Sequence, residues 1–361
     1  MTPVAETLTY GSTIGILGGG QLGRMLALAA AELGFDVHLY EPQADCPAGR
    51  VAAKCVTAAW DDLAALSAFA DGVDVLTFEF ENVPAESLAH VAAIKPIRPG
   101  IKSLELTQDR LLEKRYINSL GLATAPFAEV GSLAQLHEAH ATLGPNAILK
   151  TRRFGYDGKG QIRVSASSDL AEIWDQTSGQ DWIFEGFVDF EREVSVIVAR
   201  GLDGSMATFD ITENVHRGGI LHSSTVPAVC DVHIADLALS HARTIAEALD
   251  HVGVLAVEYF VTRDGKLIVN EIAPRVHNSG HWTQNGCNVC QFQQHMRAVA
   301  GWPLGDPKRH ANHIEMTNLI GEDILDWQNL ASKIGTFVHL YGKRDVRAGR
   351  KMGHVNRLKA P

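Results

Sequence analysis

The sequence predicts a mixed α/β and α+β chain: an N-terminal doubly wound parallel-sheet domain, a larger α+β unit, and a small C-terminal unit. Three observations carry this prediction. Strand and helix patterns alternate from about residue 12 to 107. From about 108 to 305 the pattern turns β-rich, with a glycine-rich loop and a hairpin turn. The final stretch, 306–361, is short and basic at its end. A length of 361 residues suits two or three domains, at ~100–200 residues each.

The first unit is a run of βαβ patterns. Thr13–Leu17 (TIGIL) is a short apolar run ending in glycines, as a buried strand would be. Gln21–Leu33 spaces Leu22, Met25, Leu26, Ala29 and Leu33 as on one helix face, and Gly34 ends it. Asp36–Tyr40 is a second strand, Asp61–Ala70 a short helix, Val73–Phe80 another buried strand and Pro84–Ile94 a further helix. Such alternation implies parallel strands with helical crossovers. In the middle unit Ser103–Leu120 is a charged amphipathic helix closed by Gly121. Ala147–Lys150 is a strand leading into the loop Arg152–Gln161, followed by a strand at Ile162–Val164. Strands are expected at Trp182–Glu185, Val194–Ala199 and Met206–Ile211, then a helix at Ile234–Leu249. Leu255–Val261 and Leu267–Asn270 flank Arg263-Asp264-Gly265-Lys266, an Asp-Gly hairpin turn. The last unit holds one strand-like run, Gly335–Tyr341.

Composition removes several function classes. Lys and Arg number 32 against 42 Asp and Glu, a formal charge of −10, which argues against a general nucleic-acid coat. Hydrophobic residues at 46% and charged residues at 20% exclude a disordered chain. No run approaches the ~18 apolar residues of a membrane span, and MTPVAETLTYGS lacks the basic start and apolar run of a signal peptide. A cytoplasmic protein without membrane partners is expected. The five cysteines (46, 55, 230, 287 and 290) fit reduced thiols better than a disulfide scaffold. Cys287 and Cys290 form a lone C-x-x-C with no second pair to complete a zinc site.

Five segments carry chemistry. Gly18, Gly20 and Gly23 satisfy G-x-G-x-x-G between a strand and a helix, and Glu41 ends the next strand. This is the dinucleotide fingerprint, so an NAD enzyme is one expectation. A nucleotide monophosphate would use the same amides equally well, with the Gln21 amide in the turn. Second, Lys150 precedes RRFGYDGKG (Arg152–Gly160), whose glycines and cations can fold over a polyphosphate or form an exposed hairpin tip. Third, Glu258 and Glu271 lie on neighbouring strands with Asn270 beside them, a set of hard oxygens suited to Mg²⁺ or to ion pairs with Lys266 or Arg275. Fourth, Glu271–Thr283 (EIAPRVHNSGHWT) packs Arg275, His277 and His281 into a polar loop that reads as poor core material. Fifth, Tyr341–His354 concentrates Lys343, Arg344, Arg347, Arg350 and Lys351, as an anion site, a solvated basic tail or a nucleic-acid patch would, and Gly342, Gly349 and Gly353 argue for a shaped loop over a tail.

Together these segments resemble the ATP-grasp family, over nearly the whole chain from about Thr13 to Leu358. The carriers are GILGGGQLGRM (15–25), FEFENVP (78–84), KTRRFGYDGKGQ (150–161), the EGFV…EREVSV stretch (185–196), NEIAPRVHNSGHWTQN (270–285) and GRKMGH (349–354). The APRVHNSGHWT run points to the branch that carboxylates 5-aminoimidazole ribonucleotide in purine biosynthesis. The resemblance implies an ATP-grasp fold with units 1–107, 108–305 (flap lobe about 124–190) and 306–361. It implies ATP, Mg²⁺ (or Mn²⁺), bicarbonate and the aminoimidazole ribonucleotide as ligands, a carboxyphosphate intermediate, a homodimer, and no nucleic acid. By the same resemblance Arg110, Lys114 and Lys150 would contact ATP, Glu185 and Val188 would form the adenine strand, and Glu193 would hold the ribose. His216 would lie on the phosphate side, and Glu258 and Glu271, with Asn270 nearby, would bind the metal. Gln21 and Glu79 would hold the ribonucleotide, with Lys343 and Arg350 on its phosphate. Tyr156, Asp157, Arg275, His277 and Lys351 would surround the carboxylation centre, with Asp157 as the candidate proton acceptor.

Overall fold

In the computed structural model, which describes residues 7–155, 158–177 and 180–359, the N-terminal alternation becomes a four-stranded sheet. Its elements are β1 (Thr13–Leu17), α1 (Gln21–Glu32), β2 (Asp36–Tyr40), β3 (Lys54–Val56), α2 (Leu63–Asp71), β4 (Val75–Phe78) and α3 (Ala85–Ala92). The strand order is β3-β2-β1-β4, all parallel. TIGIL is buried on both faces, as a strand covered by helices on either side must be. α1 buries Leu22, Met25, Leu26 and Ala29, the stripe its spacing predicts.

The helix expected at Ser103–Leu120 is two helices, α4 (Ile101–Thr107) and α5 (Arg110–Ser119). Asp109 breaks it: its Oδ1 accepts from the N–H groups of Leu111 and Leu112 and caps α5. Apolar periodicity runs through the break, so it hides a capping side chain that competes with the helical ladder. The new helix start presents Arg110, Glu113 and Lys114 to the segment around Asn270–Ile272.

A small antiparallel lobe follows. It comprises β5 (Phe127–Val130), α6 (Leu133–Leu143), β6 (Ala147–Thr151), β7 (Gln161–Val164), α7 (Leu170–Thr177) and β8 (Trp182–Gly186), in sheet order β5-β8-β6-β7. β5, α6 and α7 had no counterpart in the sequence reading. The Arg152–Gly160 loop joins β6 to β7.

The largest sheet is antiparallel. It contains β9 (Phe190–Arg200), β10 (Met206–Thr208), β11 (Thr212–Arg217), β12 (Ile220–Val226), β13 (Gly253–Thr262), β14 (Leu267–Ala273), β15 (His313–Ile320), β16 (Thr336–Leu340) and β17 (Lys351–Lys359). Its order is β14-β13-β9-β11-β12-β15-β17-β16, with β10 on β9. The expected C-terminal unit therefore shares this sheet with the middle unit through β12 and β15. Helices α8 (Val232–Ala248) and α10 (Gln291–Ala300) cover opposite faces, with the short α9 (Thr283–Gly286) and α11 (Trp327–Ala331) between other strands. Period 2 sorts the side chains: Val194, Val196, Val198, Leu255, Val257 and Tyr259 pack with α8, while Ile197, Ala199, Val254 and Ala256 pack with α10. α10 also joins the N-terminal sheet to the large one, its His295 Nε2 lying 2.8 Å from Thr77 Oγ1 on β4. Among the described residues no helix is long and apolar enough to cross a membrane.

Candidate active site

The site's face of the large sheet depends on one irregularity. Along β14, Val269 pairs with Tyr259 and faces α8, so strict alternation would send Glu271 to that same α8 face. A β-bulge intervenes: the register shifts between Glu258 and Tyr259, and Glu271 pairs directly with Glu258. Asn270 is the extra residue. Both carboxylates thus share the α10 side of the sheet, in the wall of a cavity of about 640 Å³.

That cavity gathers most of the expected residues. Gln21 and Glu79 line it from the N-terminal unit, Arg110 from α5 and Lys150 from β6. Glu193, His216, Glu258, Asn270 and Glu271 come from the large sheet, Arg275 and His277 from the loop after β14, and Lys351 from β17. Lys114 and Glu185 lie beneath it. Glu185 Oε2 is 2.8 Å from Lys150 Nζ and 3.3 Å from Lys114 Nζ. Burial alone would push the Glu185 carboxyl up, but the two ammonium groups outweigh it and hold it below its usual range. The cluster keeps one net positive charge. Val188 is half-buried between β8 and β9 and does not line the cavity. Neither do Lys343 and Arg350, whose side chains bond the carbonyls of Lys351 and Asp345. Tyr156 and Asp157 lie outside the described residues.

The carboxylates are electrostatically frustrated. Burial, then the charge of Glu271, pushes Glu258 up to about 7. Burial also opposes ionisation of Glu271, but Arg110 at 3.2 Å and then Lys150 hold it below the usual range. Among the described residues no group of three or more His, Cys, Asp or Glu side chains is arranged to hold a metal alone. Two carboxylates completed by ligand phosphate oxygens are nevertheless a donor set that suits Mg²⁺. A divalent cation between them would remove the repulsion that raises Glu258.

The glycine loop is not a phosphate cradle. The Gly20 N–H donates to Glu79 Oε1 at 2.7 Å and the Gly23 N–H to Glu79 Oε2 at 2.9 Å. The Gly19 N–H donates to Glu41 Oε2 at 2.8 Å. The anion that the start of α1 favours is the protein's own carboxylate. A Cβ on Gly20 would lie 2.5 Å from Glu79 Oε1, so the glycine admits this side chain. Neither a dinucleotide nor a monophosphate finds those amides free, and Glu41, the expected ribose ligand, is engaged.

The polar loop after β14 corrects a second expectation, because it is core. Ser279, His281, Trp282 and Thr283 are almost wholly buried, and each bonds a group outside this set: Ser279 to His277 and Ser195, His281 to Gln291, Trp282 to Thr212 and Thr283 to the Gly280 carbonyl. Trp282 Nε1 donates to Thr212 Oγ1 at 3.0 Å. Gln291 accepts from the His277 N–H at 2.9 Å and donates to its carbonyl at 2.8 Å. A Cβ on Gly280 would lie 2.6 Å from Gln291 Oε1. His277 and His281 do not converge: His277 Nε2 is 3.6 Å from Glu258 Oε1, while the His281 ring packs 4.7 Å from that of His354. Burial, then the charges of Arg275 and Lys351, holds His277 well below its usual range, so it is neutral. Arg275 is anchored by Glu81 at 2.5 Å.

Among the lining residues that sequence reasoning missed, three matter most. Phe190 and Phe260 stack at 4.5 Å and 16°, an apolar slab in the cavity wall. Phe260 was legible, since period 2 from Glu258 places it on the same face. Glu113, one turn after Arg110, accepts from the Ile272 N–H and is pushed up to about 8 by burial and then by Glu271. No sequence signal distinguished it from a solvated helix residue.

Known proteins share this architecture. A ribonucleotide synthetase preATP-grasp domain model matches residues 11–108, an ATP-grasp domain model 115–292, and a phosphoribosylaminoimidazole carboxylase C-terminal domain model 315–360. The N5-carboxyaminoimidazole ribonucleotide synthase of Brucella melitensis is 50% identical over 355 residues, 98% of each chain. The crystal structure of an N5-carboxyaminoimidazole ribonucleotide synthetase in complex with ADP superposes with a TM-score of 0.95 at 41% identity, covering 100% of this chain and 95% of that one. The Aspergillus clavatus synthase, in complex with ADP and 5-aminoimidazole ribonucleotide, gives 0.90 at 29% identity, covering 97% and 94%.

Proposed function

The chain belongs to the N5-carboxyaminoimidazole ribonucleotide synthase family of ATP-grasp ligases, and from that membership we propose how its cavity carries out the ATP-dependent carboxylation of 5-aminoimidazole ribonucleotide. The observation that carries the assignment to this cavity is its polarity. One side holds the Lys150–Glu185–Lys114 cluster, Arg110 and the Glu258–Glu271 pair. The same cavity is lined by Gln21, Arg275, His277 and Lys351.

On this reading ATP lies against Phe190 and Phe260, with Glu193 at its ribose and its phosphates towards Lys150 and Arg110. Glu258 and Glu271 would hold Mg²⁺, which when bound neutralises phosphate charge. A bicarbonate oxygen attacks the γ-phosphorus and the bond to the ADP oxygen breaks, giving carboxyphosphate. Both partners are anions, so the cations must lower the barrier by electrostatics and alignment. Arg275 and Lys351 would hold the bicarbonate oxygens, and the neutral His277 would bond to one of them. The exocyclic amine of the ribonucleotide, held by Gln21 and Glu79, then takes the carboxyl carbon, directly or as released CO₂. Phosphate departs and the amine proton passes to a base, for which Asp157 is the candidate. Lys343 and Arg350 would receive the ribonucleotide phosphate once their loop turns towards the cavity. The loop of Arg152–Gly160, with Tyr156, would cover the site and exclude water from the labile acyl phosphate.

The same reading gives unit boundaries at 1–107, 108–305 (flap lobe 124–190) and 306–361, and a cytoplasmic homodimer. A sedimentation mass near that of one 39.1 kDa chain would overturn the dimer. The decisive assay is phosphate release from ATP. The protein alone should turn over slowly, and adding the aminoimidazole ribonucleotide with bicarbonate should stimulate it at least tenfold. Unchanged release on adding both would refute the function. NADH fluorescence should not change on titration, because Glu79 and Glu41 occupy the glycine-loop amides.

A further inference from the structure

A row of polar side chains crosses the large sheet next to His277, and no step above uses it. Ser195 on β9, Asn214 on β11 and Ser224 on β12 occupy three adjacent strands, and Asn214 pairs in register with Ser224. All three are buried, as is Ser279. Ser224 Oγ donates to Asn214 Oδ1 at 2.8 Å, Asn214 Nδ2 to Ser195 Oγ at 2.9 Å, and Ser195 Oγ to Ser279 Oγ at 2.8 Å. Ser279 Oγ lies 2.9 Å from His277 Nδ1.

One contact sets the direction of the whole row. The main-chain N–H of Ser279 also points at His277 Nδ1, at 3.3 Å, and an N–H can only donate. Nδ1 is therefore an acceptor. The Ser279 hydroxyl gives its single hydrogen to Nδ1, so its oxygen must accept from Ser195. Ser195 in turn accepts from the Asn214 amide, whose carbonyl oxygen accepts from Ser224. Buried hydroxyls and amides destabilise a core unless paired, and a consistently polarised chain is the low-energy arrangement.

We propose that Ser279, supported by Ser195, Asn214 and Ser224, is the positioning residue that holds His277 as its Nε2–H tautomer. Because Nδ1 accepts a main-chain N–H it carries no hydrogen, so the ring's one N–H is on Nε2. Nε2 lies in the cavity wall, 3.6 Å from Glu258 Oε1. His277 therefore meets the reactants as a hydrogen-bond donor to an anionic oxygen and not as the base that removes the amine proton. The identity of that oxygen, on bicarbonate or carboxyphosphate, rests on the function proposed above. The tautomer is a property of the protein alone.

Nitrogen-15 NMR of the full chain with labelled histidine, without substrates, reads the tautomer, and His277→Gln assigns the resonances. The expected spectrum shows a protonated Nε2 and an unprotonated Nδ1 for His277. Ser279→Ala keeps the main-chain N–H at 3.3 Å but removes the shorter hydroxyl bond at 2.9 Å, so part of the population should move to the opposite tautomer. It should also lower kcat about 10- to 100-fold, the range seen when groups orienting functional histidines are removed, with KM for ATP within about twofold by the same logic. A wild-type His277 protonated on Nδ1 overturns the proposal. Wild-type kcat in Ser279→Ala also overturns it. Should Ser279→Ala fail to fold, the wild-type spectrum decides, and it does so whether or not the ribonucleotide stimulates turnover.

Discussion

Glu271→Gln is expected to lower ATP turnover about 10²- to 10³-fold, the scale of losing one electrostatic group aimed at a reacting centre. The amide keeps the shape and one oxygen but removes the charge. Only Glu258 would then remain as a carboxylate for the metal, with the bulge still in place. The effect should not come from unfolding, because two changes oppose each other. Arg110 loses its partner at 3.2 Å, while Glu258 and Glu113 lose the neighbouring charge that raises them. A net change of ~1 kcal/mol shifts the melting temperature of a large domain by only about 2–4 °C. A coupled ATPase assay beside a thermal melt separates the terms. Near-normal turnover in a folded variant would remove Glu271 from the metal-holding role.

Lys150→Met should reduce kcat/KM for ATP about 100-fold, chiefly through weaker nucleotide binding, consistent with loss of ~2.7 kcal/mol of charge stabilisation. The wild-type cluster is two ammonium groups on one carboxylate, so it has a cation to offer to a polyphosphate. Without Lys150 the remaining Lys114–Glu185 pair, at 3.3 Å, is neutral. Methionine is apolar and close in size, so the substitution limits cavity formation. Stability should fall by less than the ~3–5 kcal/mol of breaking a buried pair outright, because Lys114 continues to compensate Glu185. Calorimetric titration with ATP measures the first effect and chemical denaturation the second. Unchanged ATP affinity would remove Lys150 from the phosphate side.

Much of the site was legible because it sits on strongly patterned elements. Glu258 follows LAV on one buried strand and Lys150 follows AIL on another, each a charge set in an apolar run. The C-terminal strands β15 and β17 were harder. β15 (HIEMTNLI) mixes polar and apolar residues, and β17 (KMGHVNRLK) buries His354 and Asn356 where periodicity expects hydrophobes. Asn356 is tolerable there because it donates to the His281 carbonyl and to Asn285, partners about seventy residues away. The polar loop Glu271–Thr283 misled for the same reason. Its side chains look solvated until Gln291, Thr212 and Ser195 supply their hydrogen bonds.

By itself the sequence determined the N-terminal alternation, the strands that carry Lys150, Glu258 and Glu271, where the glycine turn and the Asp-Gly hairpin fall, and which charged residues punctuate them. These are local matters, governed by side-chain period and turn chemistry over a few residues. Only the tertiary structure decided how distant groups use those positions. Glu79 reaches across 59 residues to occupy the glycine-loop amides, and that turns an apparent dinucleotide site into internal scaffolding. The bulge at Asn270 turns Glu271 to join Glu258, against the alternation that its own strand prescribes. Register is set by the neighbouring strand and by what packs on each face, so one inserted residue places a side chain on the opposite face without changing the local pattern.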